Sequence, residues 1–184
     1  MPRLFCALKI PSALRLQLSE IKGGLSGARW IEPENYHITL RFFGDINRHI
    51  ANDLALALSG IDRDAFDLEI DRLDAFGNAK PHSLYAHVMS EQSLLDLQSE
   101  IEWIAKRLGL QPDRRKFSPH ITLARLRDTT PLEVAGFIAA RGGFHSAKFE
   151  IGEIQLLSSK DSIGGGPYVT EARYALRTYE YGYL

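Results

Sequence analysis

The chain is poor in the features that mark secreted scaffolds and membrane proteins. It contains one cysteine, Cys6, in 184 residues, so no intramolecular disulfide can form and the thiol alone cannot supply a zinc site. Because Cys6 lies in the apolar run LFCALKI, we expect a buried small side chain. No apolar run reaches membrane-spanning length, and the N-terminus lacks an apolar stretch followed by a small-residue cleavage site.

The overall charge is also small. The formal net charge is −1 at pH 7, so bulk charge favours no class of partner and any anion site must be local. Hydrophobic residues make up 45% and charged residues 24%, a balance typical of soluble globular proteins. Residues 1–184 fit one domain, or two small lobes that share an interface. We expect a cytoplasmic monomer without a membrane or an obligate protein partner.

One tetrapeptide occurs twice. HITL occupies residues 37–40 and again residues 120–123, although the chain has only six histidines. Asp45 and Asp128 each stand eight residues after their histidine, and the fragments LQLSEI and DLQSEI precede the two copies. Most of the surrounding sequence has diverged while these positions match. The chain is therefore interpreted as an internal duplication.

Both copies have the same order of predicted elements. A strand-like run, FCALKI or LYAHVM, precedes a helix whose apolar residues share one stripe: Leu14, Leu18 and Ile21 in the first copy, and Leu94, Leu97, Ile101, Ile104 and Leu108 in the second. A second helix follows each HITL run. In the first copy Asn47 is expected to cap a helix that buries Ile50, Leu54 and Leu58, and in the second copy Thr130 and Glu133 form a predicted capping box. Phe66 and Phe149 then open strands, each 29 residues after its histidine.

Two segments are predicted to be turns or loops. FGNAKPH, residues 76–82, is typical of a turn between strands rather than a domain boundary. GGGP, residues 164–167, is interpreted as a mobile surface loop, because it matches neither the P-loop nor the dinucleotide fingerprint.

Both HITL runs are rich in residues that favour strands. Strict alternation along a strand then places His37, Thr39 and Arg41 on one face, with the other face carrying Ile38, Leu40 and Phe42. In the second copy His120 and Thr122 share a face, and the core side receives Ile121 and Leu123.

A histidine and a threonine two residues apart on a strand lie roughly 6.6 Å from each other along it. An imidazole and a hydroxyl at this spacing can reach different oxygens of one tetrahedral anion. Two such pairs facing each other suit in-line substitution at phosphorus, in which one histidine accepts a proton and the other donates one. An unperturbed pKa near 6.5 allows both forms at neutral pH.

A single histidine on a strand is usually structural, but two in register within a diverged duplication argue for a shared chemical role. A metal site is the competing interpretation. Cys6 and the remaining histidines (His49, His82, His87 and His145) show no ligand-type spacing. We therefore expect neither a metal nor a cofactor.

Several stretches together resemble a known family: RLFCALKIP, RWIEPENYHITLRFFGD, FSPHITLAR, and LLSS followed by GGGPY. They are similar to the two-histidine phosphoesterase superfamily, and within it to the RNA 2′,3′-cyclic phosphodiesterases, historically called 2′-5′ RNA ligases. The resemblance covers nearly the whole chain. It implies an α+β fold of two lobes, with mainly antiparallel sheets, helices on the outside and a central cleft.

The resemblance also implies an activity, the hydrolysis of an RNA terminal 2′,3′-cyclic phosphate to a 2′-phosphomonoester. By matching to the motif, His37 would be the proton donor to the leaving 3′ oxygen and His120 the proton acceptor from water. Thr39 and Thr122 would hold the non-bridging oxygens. Two alternatives stay open: another cyclic-phosphate hydrolysis or 2′-5′ RNA joining, and a non-catalytic nucleotide- or RNA-binding module.

Basic residues near the motifs are further candidates for phosphate contacts. Arg41 lies on the motif face by alternation. Arg125 matches the family pattern HxTLxR, yet alternation from His120 puts it on the opposite face unless a bulge re-aims it. The basic run 114–116 (RRK) is either a solvated loop or a rim that attracts RNA phosphates.

The aromatic residues near the motifs give less information. We expect Trp30 and Phe42 in the core, whereas Phe5, Phe43 and Tyr168 are candidates to approach the cleft and stack on a base.

Overall fold

The computed structural model describes residues 3–141, 143–159 and 164–178. Its strands, in chain order, are β1 (Arg3–Lys9), β2 (Ala28–Trp30), β3 (His37–Asp45), β4 (Phe66–Leu68), β5 (Ile70–Phe76), β6 (Ser83–Val88), β7 (His120–Leu126), β8 (Phe149–Ile151), β9 (Glu153–Ser159) and β10 (Val169–Ala175). Its α-helices are α1 (Ser12–Ser19), α2 (Arg48–Ser59), α3 (Gln92–Arg107) and α4 (Pro131–Ala140), and a 3₁₀ turn spans Pro33–Asn35.

Eight strands form one sheet. Seven of them follow the order β10-β9-β1-β3-β7-β6-β5, and β2 pairs with β7 off this path. The named strands pair antiparallel throughout, including β4 with β8 in a separate two-stranded sheet. The predicted α+β class with a mainly antiparallel sheet is confirmed. None of the helices in the described ranges is long and apolar enough to cross a membrane.

The duplication is visible in the strand pairing. Ile38 pairs with Ile121 where β3 meets β7, and Asp67 pairs with Glu150 at the middle of the β4–β8 pair. The members of both pairs are 83 residues apart, which is also the spacing of the two HITL copies. Each pair therefore joins equivalent residues of the two repeats, as an approximate twofold relation requires.

The two repeats exchange their last long strands. β5 of the first repeat pairs with β6 of the second, and β9 of the second pairs with β1 of the first. The two halves of the sheet therefore do not coincide with the two halves of the sequence.

Helix ends and buried faces agree with the sequence pattern. Asn47 caps α2 by accepting from the Ile50 amide at 2.9 Å, and Thr130 and Glu133 form a complete capping box on α4. The helices bury Leu14 and Leu18, Leu54 and Leu58, Leu94, Leu97, Ile101 and Ile104, and Val134 and Phe137. Ile21 and Leu108, expected in the helical stripes, follow the ends of α1 and α3 instead.

Cys6 lies in the core at 0% exposure, and burial raises the pKa of its thiol to about 12. Its expected role as a small apolar core side chain is confirmed.

Both motif strands carry a bulge at the leucine of HITL. Ala7 pairs with Thr39 and Cys6 with Arg41, which leaves Leu40 as an extra residue on β3. On β7 the pairing skips Leu123 in the same way. A bulge reverses the alternation of side chains beyond it. The residues directly after the motif, Arg41 and Phe42 on β3 and Ala124 and Arg125 on β7, therefore face the opposite way from the strict-alternation prediction.

Candidate active site

The two HITL motifs line the same cavity, which has a volume of about 710 Å³. His37 and Thr39 from β3 and His120 and Thr122 from β7 all line it. The Ile38–Ile121 pair joins the motif strands beside the histidines, so the predicted faces converge on one space.

The two imidazoles are held in the same way. Nδ1 of His37 lies 2.7 Å from the carbonyl oxygen of Asn35, and Nδ1 of His120 lies 2.6 Å from that of Ser118. A carbonyl oxygen only accepts, so Nδ1 carries the proton in each ring. When the ring is neutral, Nε2 is therefore the nitrogen that exchanges protons. Nε2 of His37 lies 3.0 Å from Thr39 Oγ1, so this nitrogen and the motif hydroxyl face the same space.

Both histidines have lowered pKa values. Burial lowers the pKa of His37 to about 4, against the opposing hydrogen bond to Asn35, with smaller contributions from the charges of His120 and Arg125. For His120 burial again lowers the pKa most, with Arg125 and His87 adding to it. Without an anion in the cavity, neutral imidazoles are thus favoured.

Arg125 lies on the cavity side of β7. The bulge at Leu123 reverses the alternation, so Arg125 shares a face with His120 and Thr122 and lines the cavity. Its charge lowers the pKa of both histidines. Of the two placements that the sequence left open, the structure has the one in which a bulge re-aims the side chain.

The expected placement of Arg41 on the same face as His37 is wrong, whereas its contact with phosphate stays a prediction. The bulge at Leu40 turns Arg41 away from the His37 face, and the side chain is 6% exposed. Its Nε lies 2.5 Å from a Glu102 carboxylate oxygen, and its other nitrogens donate to the carbonyl oxygens of Phe42 and Gln111. Arg41 borders the cavity, but its guanidinium is committed to protein partners.

The same bulge reverses two aromatic predictions. Phe42, expected in the core, is 48% exposed and lines the cavity. Phe43, expected near the cleft, is buried. Trp30 packs against the core beside Phe137, as predicted.

Aromatic rings flank each imidazole. The ring centroid of His37 is 5.3 Å from that of Phe5 and 5.1 Å from that of Tyr168. His120 lies 4.9 Å from Phe76 and 5.3 Å from Tyr85 by the same measure. Tyr168 lines the cavity as expected, whereas Phe5 is buried at 1% exposure and contacts His37 without lining the cavity. These rings exclude water from the imidazoles, which explains the desolvation that lowers the pKa values.

Phe76 and Tyr85 were missed by sequence reasoning. They belong to β5 and β6, and only the pairing of those strands with β7 places them beside His120. The FGNAKPH turn, which joins the end of β5 to the start of β6, was a signal that these strands pair. The sequence did not predict where β6 pairs along β7, and this register decides which rings lie beside His120.

The basic run borders the site. Arg115 and Lys116 line the cavity, and Arg115 is held by Asp113 at 3.2 Å. This placement favours the rim interpretation of the basic run.

The GGGP segment makes specific contacts, in contrast to the free surface loop expected from its sequence. The Gly164 carbonyl oxygen accepts from Arg29 at 2.7 Å, and the Gly165 amide donates to the Tyr168 hydroxyl at 3.0 Å. Gly165 has a φ of +96°, and a Cβ there would lie 2.2 Å from the Ile31 Cδ1 atom. The segment thereby positions Tyr168 against His37.

Within the described ranges, no group of three or more histidine, cysteine, aspartate or glutamate side chains is arranged to hold a metal ion. The two HITL motifs and Arg125 instead contribute two imidazoles, two hydroxyls and a guanidinium to the cavity wall. This set can bind an oxyanion and move protons.

Comparison with known families agrees with this geometry. The family model described as LigT like Phosphoesterase matches residues 8–85 and 88–168, and each matched segment contains one HITL motif. The chain belongs to the LigT-like phosphoesterase family.

Curated relatives carry one shared name, RNA 2′,3′-cyclic phosphodiesterase. The protein of that name from Aeropyrum pernix is 30% identical over 76% of this chain and 81% of its own length. Its counterpart from Archaeoglobus fulgidus is 28% identical over 85% and 90%. The one from Bacillus subtilis is 26% identical over 88% and 86%.

Solved structures share the fold. Escherichia coli LigT complexed with 3′-AMP superposes with a TM-score of 0.77 at 24% identity, covering 97% of this chain and 100% of that one. The protein TT0787 of Thermus thermophilus gives a TM-score of 0.78 at 21% identity, with the same coverage.

Proposed function

We propose that this chain hydrolyses the 2′,3′-cyclic phosphate at an RNA end to a 2′-phosphomonoester. The observation that carries the proposal is the convergence of His37 and His120 on one cavity, each with Nδ1 bonded to a backbone carbonyl oxygen. Both rings thereby offer Nε2 to a single bound group. The names of the curated relatives support the same substrate class.

In the proposed reaction a water oxygen attacks phosphorus while the bond to the ribose 3′ oxygen breaks. Neutral His120 accepts the proton of the attacking water, and protonated His37 donates a proton to the leaving 3′ oxygen. One proton is taken and one is given, so the histidines end in exchanged protonation states, and exchange with solvent restores them. Each histidine contributes on the order of 10²–10⁴-fold by general acid–base catalysis.

Hydroxyl and guanidinium groups complete the proposed site. Thr39 and Thr122 donate to the non-bridging oxygens of the phosphate, and Arg125 balances their negative charge. The anion also acts on the donor. A phosphate beside His37 favours the imidazolium and raises its pKa from the value of about 4 in the free protein. Substrate binding therefore produces the protonated donor that the reaction needs.

A single assay tests the proposal. An oligonucleotide ending in a 2′,3′-cyclic phosphate is incubated with the protein in excess chelator, and the product isomer is identified by phosphorus NMR. We expect a 2′-phosphomonoester and turnover that does not depend on added metal. A 3′-phosphomonoester, or activity restored only by zinc or magnesium, would contradict the mechanism.

The same assay separates the alternatives. Joining of the cyclic end to a strand with a free 5′-hydroxyl would indicate the 2′-5′ ligase reaction. Binding of the oligonucleotide without turnover would indicate a binding module.

We also propose that the protein acts on RNA ends as a cytoplasmic monomer. The single thiol of Cys6 is buried and free, as is usual for proteins of the reducing cytoplasm. Sedimentation equilibrium at micromolar concentration checks the oligomeric state, and cell fractionation checks the compartment.

A further inference from the structure

A second, smaller cavity lies behind His37. It has a volume of about 180 Å³, and its walls include His37 and Tyr168, which also line the larger cavity. This volume accommodates several water molecules or one tetrahedral anion. The two cavities therefore meet at these two side chains.

The walls of the smaller cavity carry three cations: Lys9 at the end of β1, Arg15 on α1 and Arg173 on β10. No carboxylate within the described ranges forms an ion pair with any of them. One carboxylate, Glu34, also lines the cavity and partly offsets their charge. The balance of charged side chains is three positive against one negative.

Two buried donors of the cavity walls have no hydrogen-bond partner. They are the Tyr36 hydroxyl and the Nε of Arg15, and Tyr36 is only 3% exposed. A buried unpaired polar group costs free energy, so each of these two groups calls for an explanation, such as an ordered water or an ion. Burial, together with Glu32 and Glu34, raises the pKa of Tyr36 to about 12. The hydroxyl therefore stays protonated.

The two repeats differ at the position that pairs across the strands with each motif histidine. Lys9 pairs across the strands with His37, and His87 pairs in the same way with His120. His87 is bonded at Nδ1 to Asp71 at 2.6 Å. The equivalent position in the first repeat is Lys9, which has no such carboxylate partner in the structure as described. Among the described residues, the side chain across from His37 is therefore an unpaired lysine, whereas the side chain across from His120 is a histidine bonded to Asp71.

From these observations we infer that the cavity lined by Lys9, Arg15, Tyr36 and Arg173 binds a second phosphate group of the nucleotide whose cyclic phosphate occupies the larger cavity. This inference rests on the proposed function for the identity of the first phosphate. Two sources supply the same chemistry: a 5′-phosphate on the terminal nucleoside, or the phosphodiester that joins it to the preceding nucleotide. The site would select phosphorylated or longer RNA ends over a simple nucleoside cyclic phosphate.

The first experiment measures binding without turnover. Isothermal titration compares adenosine 2′-monophosphate with adenosine 2′,5′-bisphosphate on the wild-type protein. We expect the bisphosphate to bind about tenfold more tightly or better, as one charge-assisted contact provides. Equal affinities would overturn the inference.

Variants then assign that preference to the cavity. Lys9→Ala and Arg173→Ala should each reduce the bisphosphate preference about three- to tenfold without changing monophosphate affinity. Glu34→Gln should increase the preference, because it removes the opposing charge. Lys148→Ala is the matched control, since Lys148 is an exposed lysine outside both cavities. A preference that survives in the double variant Lys9→Ala/Arg173→Ala would overturn the assignment.

Tyr36→Phe separates ligand binding from folding. The hydroxyl is unpaired in the free protein, so its removal should leave the melting temperature unchanged or raised. The same substitution should weaken the bisphosphate preference. A lower melting temperature with an intact preference would show that the hydroxyl serves the fold and not a ligand.

Kinetics distinguish the source of the second phosphate. The ratio kcat/KM is compared for adenosine 2′,3′-cyclic phosphate, its 5′-phosphorylated form, and a dinucleotide with the same cyclic end. A gain with the 5′-phosphate alone identifies the terminal group, and a gain with the dinucleotide identifies the phosphodiester. No gain with either would count against the inference while the proposed function stood. If no cyclic phosphate is hydrolysed, the proposed function fails, and the titrations still decide the second site.

Discussion

Ile38 pairs with Ile121 at the junction of the two motif strands, and the preceding histidines thereby face one cavity. The pair joins equivalent positions of the two repeats. The histidine and threonine of β3 therefore lie on one side of the cavity, and those of β7 lie on the opposite side. In-line substitution at phosphorus needs this arrangement, because the attacking and leaving oxygens lie on opposite faces of the reacting atom. The division of labour between the histidines can be tested through the leaving group.

His37→Ala and His120→Ala should each lower kcat on the order of 10²–10⁴-fold with an RNA substrate. A substrate with an acidic phenolic leaving group needs little protonation, so it should partly rescue His37→Ala and leave His120→Ala impaired. The measurement is kcat for both substrates with both variants. Equal rescue would contradict the assigned roles, and rescue of His120→Ala alone would exchange them.

The pH dependence follows from the lowered histidine pKa values. The donor form of His37 is lost as pH rises through its pKa of about 4 in the free protein, so kcat/KM should decline on its alkaline side well below pH 6.5. A bound phosphate raises this pKa, so the alkaline limb of kcat should lie at higher pH. The limbs belong to the coupled pair and are read as macroscopic values.

NMR titration of the histidines directly checks that the pKa of His37 is low in the free protein and higher with bound phosphate. The His37 resonance is titrated in the free protein and with saturating inorganic phosphate, and its pKa should rise on binding. A free-protein pKa at or above 6.5 would contradict the burial argument.

Arg125→Gln should affect binding and titration together. In the proposed mechanism Arg125 balances the charge of the phosphate, so its loss should lower kcat/KM about 10²-fold. Loss of its charge should also raise the pKa values of His37 and His120, since Arg125 lowers both. Arg127→Gln is the control, because Arg127 is exposed and pairs with Asp128 at 3.7 Å. Unchanged histidine titration in Arg125→Gln would show that the charge lies farther from the motifs.

Arg41 is expected to stabilise the fold rather than bind phosphate. Arg41→Met breaks the contact with Glu102 and two bonds to backbone carbonyl oxygens, so the free energy of unfolding in urea should fall by about 3 kcal/mol. Arg41→Met/Glu102→Leu should recover part of that loss. Arg48→Met, at an exposed site on α2, should change stability by less than about 0.5 kcal/mol. A phosphate-binding defect in folded Arg41→Met would support the original expectation instead.

Phe42 is the exposed aromatic ring of the cavity wall and a candidate platform for a base. Phe42→Ala should weaken oligonucleotide binding by about 1–3 kcal/mol, the range for stacking on an aromatic side chain. Trp103→Ala is the control, because Trp103 is an exposed aromatic residue on α3 outside the cavity. Fluorescence anisotropy with a labelled oligonucleotide measures both. Equal effects of the two substitutions would argue against a specific platform.

The two repeats, the pairing of each histidine with a threonine, and the helix caps were all determined by local sequence. Period-2 alternation places His37 with Thr39 and His120 with Thr122 whatever the rest of the chain does. Asn47 and Thr130 bond to backbone amides three residues away, so their capping needs no distant partner. These features depend on residues within a few positions of each other.

Tertiary structure decided which way the side chains point after the fourth residue of each motif. The bulges at Leu40 and Leu123 are defined by the pairing of β3 with β1 and of β7 with β6, and no local pattern specifies them. They turn Arg125 and Phe42 toward the cavity and Arg41 toward Glu102. The exchange of β5 and β9 between repeats likewise brings distant residues to the site, with Phe76 beside His120. Strand pairing is a long-range interaction, so these placements emerge only when the whole sheet is assembled.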